Sequence, residues 1–296
     1  VDMWMVNKRY LYDEMFVDKF QRDAPQQMTE TDKLILRDKS LDYRVLNLAS
    51  NTFNENETSY YHKSIGGYHP AKLRRYAEMI EAHISPEMQK TMKAVAEAGG
   101  DMTKVNGDSI FPVLNMLNTK YFIFPLQGGQ TVPVQNPYAY GNAWFVDKVT
   151  YANNANEEID EVGKLNLRHE AVADAKFKEQ LGQSVPQDDT SMVKMIQYKP
   201  NNLTYEVKSS KGGVIVFSEI YYPGWTATVD GQPAELGRVN YILRALNVKP
   251  GSHKVVLDFH PSSLKKTETV AYIGYVVLLL LLVVGIGVEW KKKKAE

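Results

Sequence analysis

The last stretch of the chain breaks the pattern of everything before it. Val270–Val288 (VAYIGYVVLLLLLVVGIGV) holds 19 residues without a charge. As a helix rising about 1.5 Å per residue it covers roughly 28 Å, close to the hydrocarbon thickness of a bilayer. Apolar residues all round the helix, five consecutive leucines and a stop at Lys291–Lys294 read as a membrane span rather than a buried core helix. Trp290 suits one interface, and Tyr272 and Tyr275 suit the other. The four lysines outweigh Lys265 and Lys266, which Glu268 partly offsets. This places the end of the chain on the cytoplasmic side and residues 1 to about 265 outside. The predicted layout is a transmembrane helix over 268–290 and a cytoplasmic Lys-rich tail over 291–296.

The outward placement needs a cause, and residues 1–20 lack the charged start and apolar stretch of a signal peptide. The chain also opens on Val1 and not on Met. The expectation is therefore a fragment preceded by at least one earlier span, with Val1, Met3, Trp4, Met5 and Val6 at that span's outer end.

Between these ends the pattern is mixed. Residues 7–40 are charged and read as helix and loop. Tyr43–Leu48 reads as a strand. Leu73, Tyr76, Ala77, Ile80 and Ile84 recur at helical spacing and predict a helix over 70–84. Ser85-Pro86-Glu87 predicts a restart, with Ser85 as N-cap, and Gly99-Gly100 a stop. Asp108 or Ser109 is placed to cap a third short helix carrying Phe111, Leu114 and Leu117. Strands are predicted at Tyr121–Phe124, at 143–151 and at 169–173, with a short acidic helix over Glu157–Leu165. From Met192 the pattern changes to short strands between turns, at 192–198, 203–208, 213–220, 225–230, 240–246 and 252–259. Gly212-Gly213, Pro223-Gly224, Asp230-Gly231 and Pro250-Gly251 punctuate them. Asp230-Gly231 is a two-residue hairpin signal. The expected fold is an α+β extracytoplasmic region with a C-terminal antiparallel β-sandwich, followed by one transmembrane α-helix. The divisions are a mixed α/β subdomain over 1–125, a connecting α+β segment over 126–190 and the sandwich over 191–262.

Tyr121–Val146 carries no charge in 26 residues, seven of them aromatic. Pro125, Pro133, Pro137 and Gly128-Gly129 exclude a second span. A buried hairpin is favoured, because an uncharged surface of that size would be an exposed patch; contact with a membrane domain is the other reading.

Charge and composition narrow the function. Lys+Arg and Asp+Glu number 35 each, and Cys is absent. Zero net charge argues against nucleic acid as partner. The lack of Cys removes thiolate metal sites and thiol nucleophiles. No Walker, GxGxxG, GxSxG or HExxH pattern is present, and no cofactor or metal is expected.

Two constellations carry candidate chemistry. Between Thr58 and Ala77 lie Lys63, Lys72, Arg74, Arg75, His62 and His69 and no acid, with Gly66-Gly67-Tyr68 ahead of a helix start. Backbone amides and cations together attract anions, so these residues are phosphate or lipid-carrier candidates. The alternative is a solvated helix face. Tyr221, Tyr222 and Trp225 around Pro223-Gly224 offer stacking faces for a glycan; the alternative, favoured, puts Trp225 in the sandwich core. Glu219 is either a buried acid or outward-pointing. The acids Glu157, Glu158, Asp160 and Glu161 read as a solvated helix face.

Three groups of segments resemble a known family. They are VNKRYL with DYRVLNL and SYYHKSIGGYHPAKLRRY; LNMLNTKYFI with NPYAYGNAWFV; and SEIYYPGWTATVDG followed by NYILRALNVKPGSHKVVLDFHP. Together they resemble the C-terminal part of the YfhO-type bacterial membrane proteins, over essentially the whole chain. The resemblance implies a polytopic inner-membrane protein whose other spans precede this segment. It also implies kinship with GT-C-type glycosyltransferases, which move a sugar from a polyprenyl-phosphate donor to a cell-envelope acceptor. In such enzymes the catalytic acid usually lies in an early outer loop, so no catalytic residue is carried over to this chain. The implied partners are the bilayer, the preceding membrane region, a polyprenyl-phosphate sugar and envelope glycan. The alternative function is a non-enzymatic glycan-binding or structural/assembly domain.

Overall fold

A computed structural model describes residues 2–20 and 27–294; Val1, named above in a possible earlier span, lies outside them. Fourteen strands are present among the described residues: β1 (Arg44–Asn47), β2 (Thr119–Pro125), β3 (Thr131–Gln135), β4 (Ala143–Val146), β5 (Lys148–Ala152), β6 (Glu170–Asp174), β7 (Met192–Lys199), β8 (Asn202–Ser209), β9 (Gly213–Ile220), β10 (Trp225–Val229), β11 (Gln232–Ala234), β12 (Gly237–Val239), β13 (Leu243–Val248) and β14 (Gly251–Phe259). A five-stranded antiparallel sheet of order β11-β10-β14-β8-β7 faces a four-stranded one of order β12-β13-β9-β4. This is the expected sandwich, and β4 brings a strand from the 126–190 segment into it.

Alternation along the strands explains the layers. Leu203, Tyr205 and Val207 of β8 and Val255 and Leu257 of β14 point inward, against Ile215 and Phe217 of β9. The other face of β9 sends Val214 and Val216 into a second core with Trp144, Leu243 and Ala245. Burial on both faces is why β9 reads as a continuous apolar run rather than an alternating one. The second core continues into the α/β part through Phe111, Leu114, Leu117 and Phe122. There β1 and β2 pair in parallel, β2 and β3 antiparallel. The hairpin buries Phe122 and Ile123 while its tip, Leu126 included, is exposed.

Three local expectations change. First, 143–151 is two strands, not one. Asp147 separates them, held outside the sandwich by His169 Nδ1 at 2.8 Å and the Gln187 amide at 2.9 Å. The chain then leaves the sandwich sheet and pairs β5 with β6 in parallel. Second, the helix does not restart at Ser85. Ser85 has helical φ/ψ and makes no side-chain cap, and Arg74–Met79 passes through a π-turn (Ile80–Ile84) into Ser85–Glu97. Pro86 has no N–H and its ring crowds the carbonyl four residues back, so the helix widens by one residue per turn instead of breaking. Third, Asp108 and Ser109 do not cap; Gly107–Ile110 and Pro112–Met116 are two short helices parted at Phe111 (φ −141°). The Asp230-Gly231 hairpin is as expected, with φ of 50° and 80° in the turn between β10 and β11.

The chain ends in a helix, Ser262–Lys293, which begins three residues after β14. Its Lys266–Val288 segment is long and apolar enough to cross a membrane, and none of it is buried.

Candidate functional site

The structure scatters the acid-free segment among acids that come from elsewhere in the chain. His62 closes the short helix Glu57–Tyr61, and its ring is buried with Nε2 2.8 Å from Asp32 Oδ1. Asp32 belongs to the capping box of Glu30–Ile35. Burial works to raise its pKa, but hydrogen bonds from Thr29 and His62 prevail and hold it below the ordinary value. Lys63 is ion-paired with the buried Asp42 and lies 3.0 Å from the Tyr198 ring centroid. Arg74 Nε donates to Glu78 at 2.9 Å, and Arg75 Nη1 to Glu158 at 3.2 Å. Lys72 sits over Phe53, and His69 Nδ1 accepts from the Ala71 amide.

The glycines do not form an anion cradle. The Gly66 amide donates to Ser64 Oγ, the Gly67 amide to Thr52 O, and the Tyr68 amide to Glu55 O and Asn56 Oδ1. Gly66 is required for a different reason: a Cβ there would lie 2.0 Å from Thr52 O. The helix starts only at Arg74, seven residues beyond Gly67.

The aromatic constellation is also divided. Trp225 is half-buried between Phe259 (5.3 Å) and the Arg244 guanidinium (3.7 Å), and packs on the sandwich core. Its faces are occupied, so it leaves the set of glycan contacts. Tyr221 packs on Phe177 at 5.9 Å. Tyr222 is 46% exposed. Glu219 is a largely buried acid paired with Arg44 at 3.3 Å.

What remains of both constellations meets at one place. A cavity of about 270 Å³ has Leu73–Tyr76 on one side and Ile220–Pro223 on the other, with Arg238, Tyr241 and Ile242 completing it. Behind it lies a group that the sequence pattern hid. Glu158 is fully buried, and its Oε2 accepts from Arg75 at 3.2 Å and from Arg238 Nη2 at 2.8 Å. Its helix, Ala155–Val162, is N-capped by Asn154. Of the acidic run Glu157, Glu158, Asp160 and Glu161, Glu158 departs from the expected solvated face because it shares a helix face with Ala155 and Val162. That i, i+3, i+7 spacing is the available signal. Arg238 also faces Asp174 at 3.7 Å.

The far wall is rigid. Asn240 and Tyr241 both have positive φ, 49° and 70°. Asn240 is clamped to β6 by its own amide, which donates to Val172 O at 2.6 Å, and by its Oδ1, which accepts the Val172 amide at 3.0 Å. Tyr241 donates to Glu78, and its ring lies 4.3 Å from the Arg75 guanidinium carbon. Burial and the Glu78 carboxylate raise the Tyr241 pKa, while the bonds from Tyr241 and Arg74 lower that of Glu78. No group of three or more His, Asp or Glu among the described residues is arranged to hold a metal ion.

The sandwich runs directly into an unburied apolar helix long enough to cross a bilayer, the layout of a folded region attached to a membrane span. Residues 101–270 match the family model described as bacterial membrane protein YfhO, more than half of the chain, and the chain belongs to that family. The match takes in Ile220–Pro223, Arg238 and Tyr241 but not Leu73–Tyr76. Neither the curated proteins nor the solved structures gave a match.

Proposed function

We propose that this chain is the extracytoplasmic region of a GT-C-type glycosyltransferase of the bacterial inner membrane. The parent protein would take a sugar from a polyprenyl-phosphate carrier and pass it to a cell-envelope glycan. The chain contributes binding beside the membrane and leaves bond-making to the preceding membrane region. The observation that supports this reading most is the meeting of Leu73–Tyr76 and Ile220–Pro223 around a single tyrosine-walled cavity, on a domain joined to a membrane helix. Lys291–Lys294 supports a cytoplasmic C-terminus. Of the segment 62–75, the exposed His69 and the half-buried Lys72, which line a neighbouring pocket with Gly67 and Tyr68, are the cations placed to meet a lipid phosphate.

Deletion of the gene tests the transferase reading. Mass spectrometry of the envelope glycans should show one sugar modification lost and restored by the wild-type gene. Identical glycans with and without the gene reject it.

A further inference from the structure

The chemistry of the cavity distinguishes between the two ligands that its rim suggests. Its guanidinium groups are already matched by carboxylates: Arg74 by Glu78, Arg75 by Glu158, and Arg238 by Glu158 and Asp174. Three cations therefore stand beside three anions. A phosphate brought in here would have to displace Glu78 and Glu158 from the guanidinium groups they already pair.

Aromatic and aliphatic surface dominates the rest. Tyr76, Tyr221, Tyr222 and Tyr241 line the cavity together with Leu73 and Ile220. Most of these rings are committed elsewhere at one end: Tyr76 donates to Ile65 O at 2.6 Å, Tyr241 to Glu78, and Tyr221 rests on Phe177. Tyr222 differs. Its ring is backed by Phe259 at 6.2 Å, yet it is 46% exposed. Arg238 is 6% exposed and its Nε is buried, so the guanidinium edge open to the cavity belongs to Arg74 and Arg75. A flat apolar face beside guanidinium N–H groups suits a ring with C–H groups on its faces and hydroxyls on its edge. The volume, at the low end for small-molecule sites, fits one such ring. The positive-φ backbone at Asn240-Tyr241 holds one wall in place before any ligand arrives, as expected of a preorganised site.

We infer that this cavity is a subsite for a single uncharged hexose ring, stacked on Tyr222 and hydrogen-bonded along the guanidinium edge, and not a phosphate site. The inference rests on reading the chain as a glycan-handling region. It names the part of the glycan that docks here.

The test uses the full chain in lipid nanodiscs, which avoids sugar-headed detergents. Methyl glucoside, methyl galactoside and methyl mannoside are titrated by saturation-transfer NMR. At least one should bind in the millimolar range, as expected of a single ring on an open site. Tyr222→Ala should weaken that binding by about tenfold or more, the effect of removing a stacking anchor, while Tyr222→Phe keeps it. Inorganic phosphate should not compete. The inference is overturned if no hexoside binds, if Tyr222→Ala leaves binding unchanged, or if phosphate displaces the sugar. It fails separately from the transferase reading. Hexoside binding with unchanged envelope glycans in the deletion strain removes the transferase and keeps the subsite; altered glycans without hexoside binding do the reverse.

Discussion

Glu158→Gln is the most informative single change in the fold. The side chain is fully buried, and its Oε2 holds both Arg75 at 3.2 Å and Arg238 at 2.8 Å. Glutamine keeps the volume and removes the charge. Arg238, 6% exposed, is then left with Asp174 at 3.7 Å as its only carboxylate. Breaking a buried pair by removing one partner costs about 3–5 kcal/mol. The lower end applies here, because Asp174 remains and Arg75, whose side chain is 33% exposed, can turn to water. At about 3 kcal/mol, and a urea dependence of about 2–3 kcal/mol per molar for a region this size, the unfolding midpoint falls by roughly 1 M. Urea unfolding of the chain in nanodiscs, followed by the fluorescence of Trp144 and Trp225, measures it. The double change Glu158→Leu with Arg238→Met should recover most of the loss, since it removes both charges at once. A Glu158→Gln midpoint indistinguishable from wild type would refute the reasoning and show the pair to be solvated.

Further expectations follow from single contacts. Burial pushes the Glu87 carboxyl up to about 8, against the pull of the Val113 and Leu114 amides that donate to it at 3.0 and 2.9 Å. The folded state thus keeps a proton that the unfolded chain releases near pH 4.5, so stability falls between pH 4.5 and 8 by at most about 1.4 kcal/mol per unit; urea midpoints across that range should show the slope, and Glu87→Gln should flatten it. Gly66→Ala drives a Cβ onto Thr52 O and should cost about 1–3 kcal/mol by thermal unfolding, whereas Gly99→Ala, with open space around it but φ of 65°, should cost only the backbone strain of about 1 kcal/mol. Because the chain has no cysteine, single ones report topology cleanly: a membrane-impermeant maleimide on spheroplasts should label Glu235→Cys and spare Lys294→Cys until the membrane is opened, and the opposite pattern would reverse the orientation.

Much of the architecture was legible along the chain. Apolar alternation and paired turn residues located β7–β10 and β14, and the uncharged run before Lys291 located the helix that leaves the fold. The short β12 escaped because three residues carry no readable period, while β11 was legible only as the far arm of the Asp230-Gly231 hairpin. The site was harder to read for an electrostatic reason. Segment 62–75 looked cationic because its counter-charges are distant in sequence: His62 meets an acid 30 residues away, Lys63 one 21 away and Arg75 one 83 away. Local charge counting has no access to such pairs. The same holds for Trp225, whose cover, Arg244 and Phe259, arrives from strands made later.

The place of β14 sets the order of events during biosynthesis. It is the middle strand of the five, so β7–β8 and β10–β11 share no neighbour until it is made. Some 50 residues separate the end of β8 from Phe259, about 3–10 s of translation, during which β8 and β10 each expose an unpaired edge. The strand that seals both edges emerges immediately ahead of Ser262–Lys293. Closure of the sandwich and delivery of the helix to the bilayer are therefore nearly simultaneous, and a chain stalled before β14 is left with two open sheet fragments rather than a finished domain.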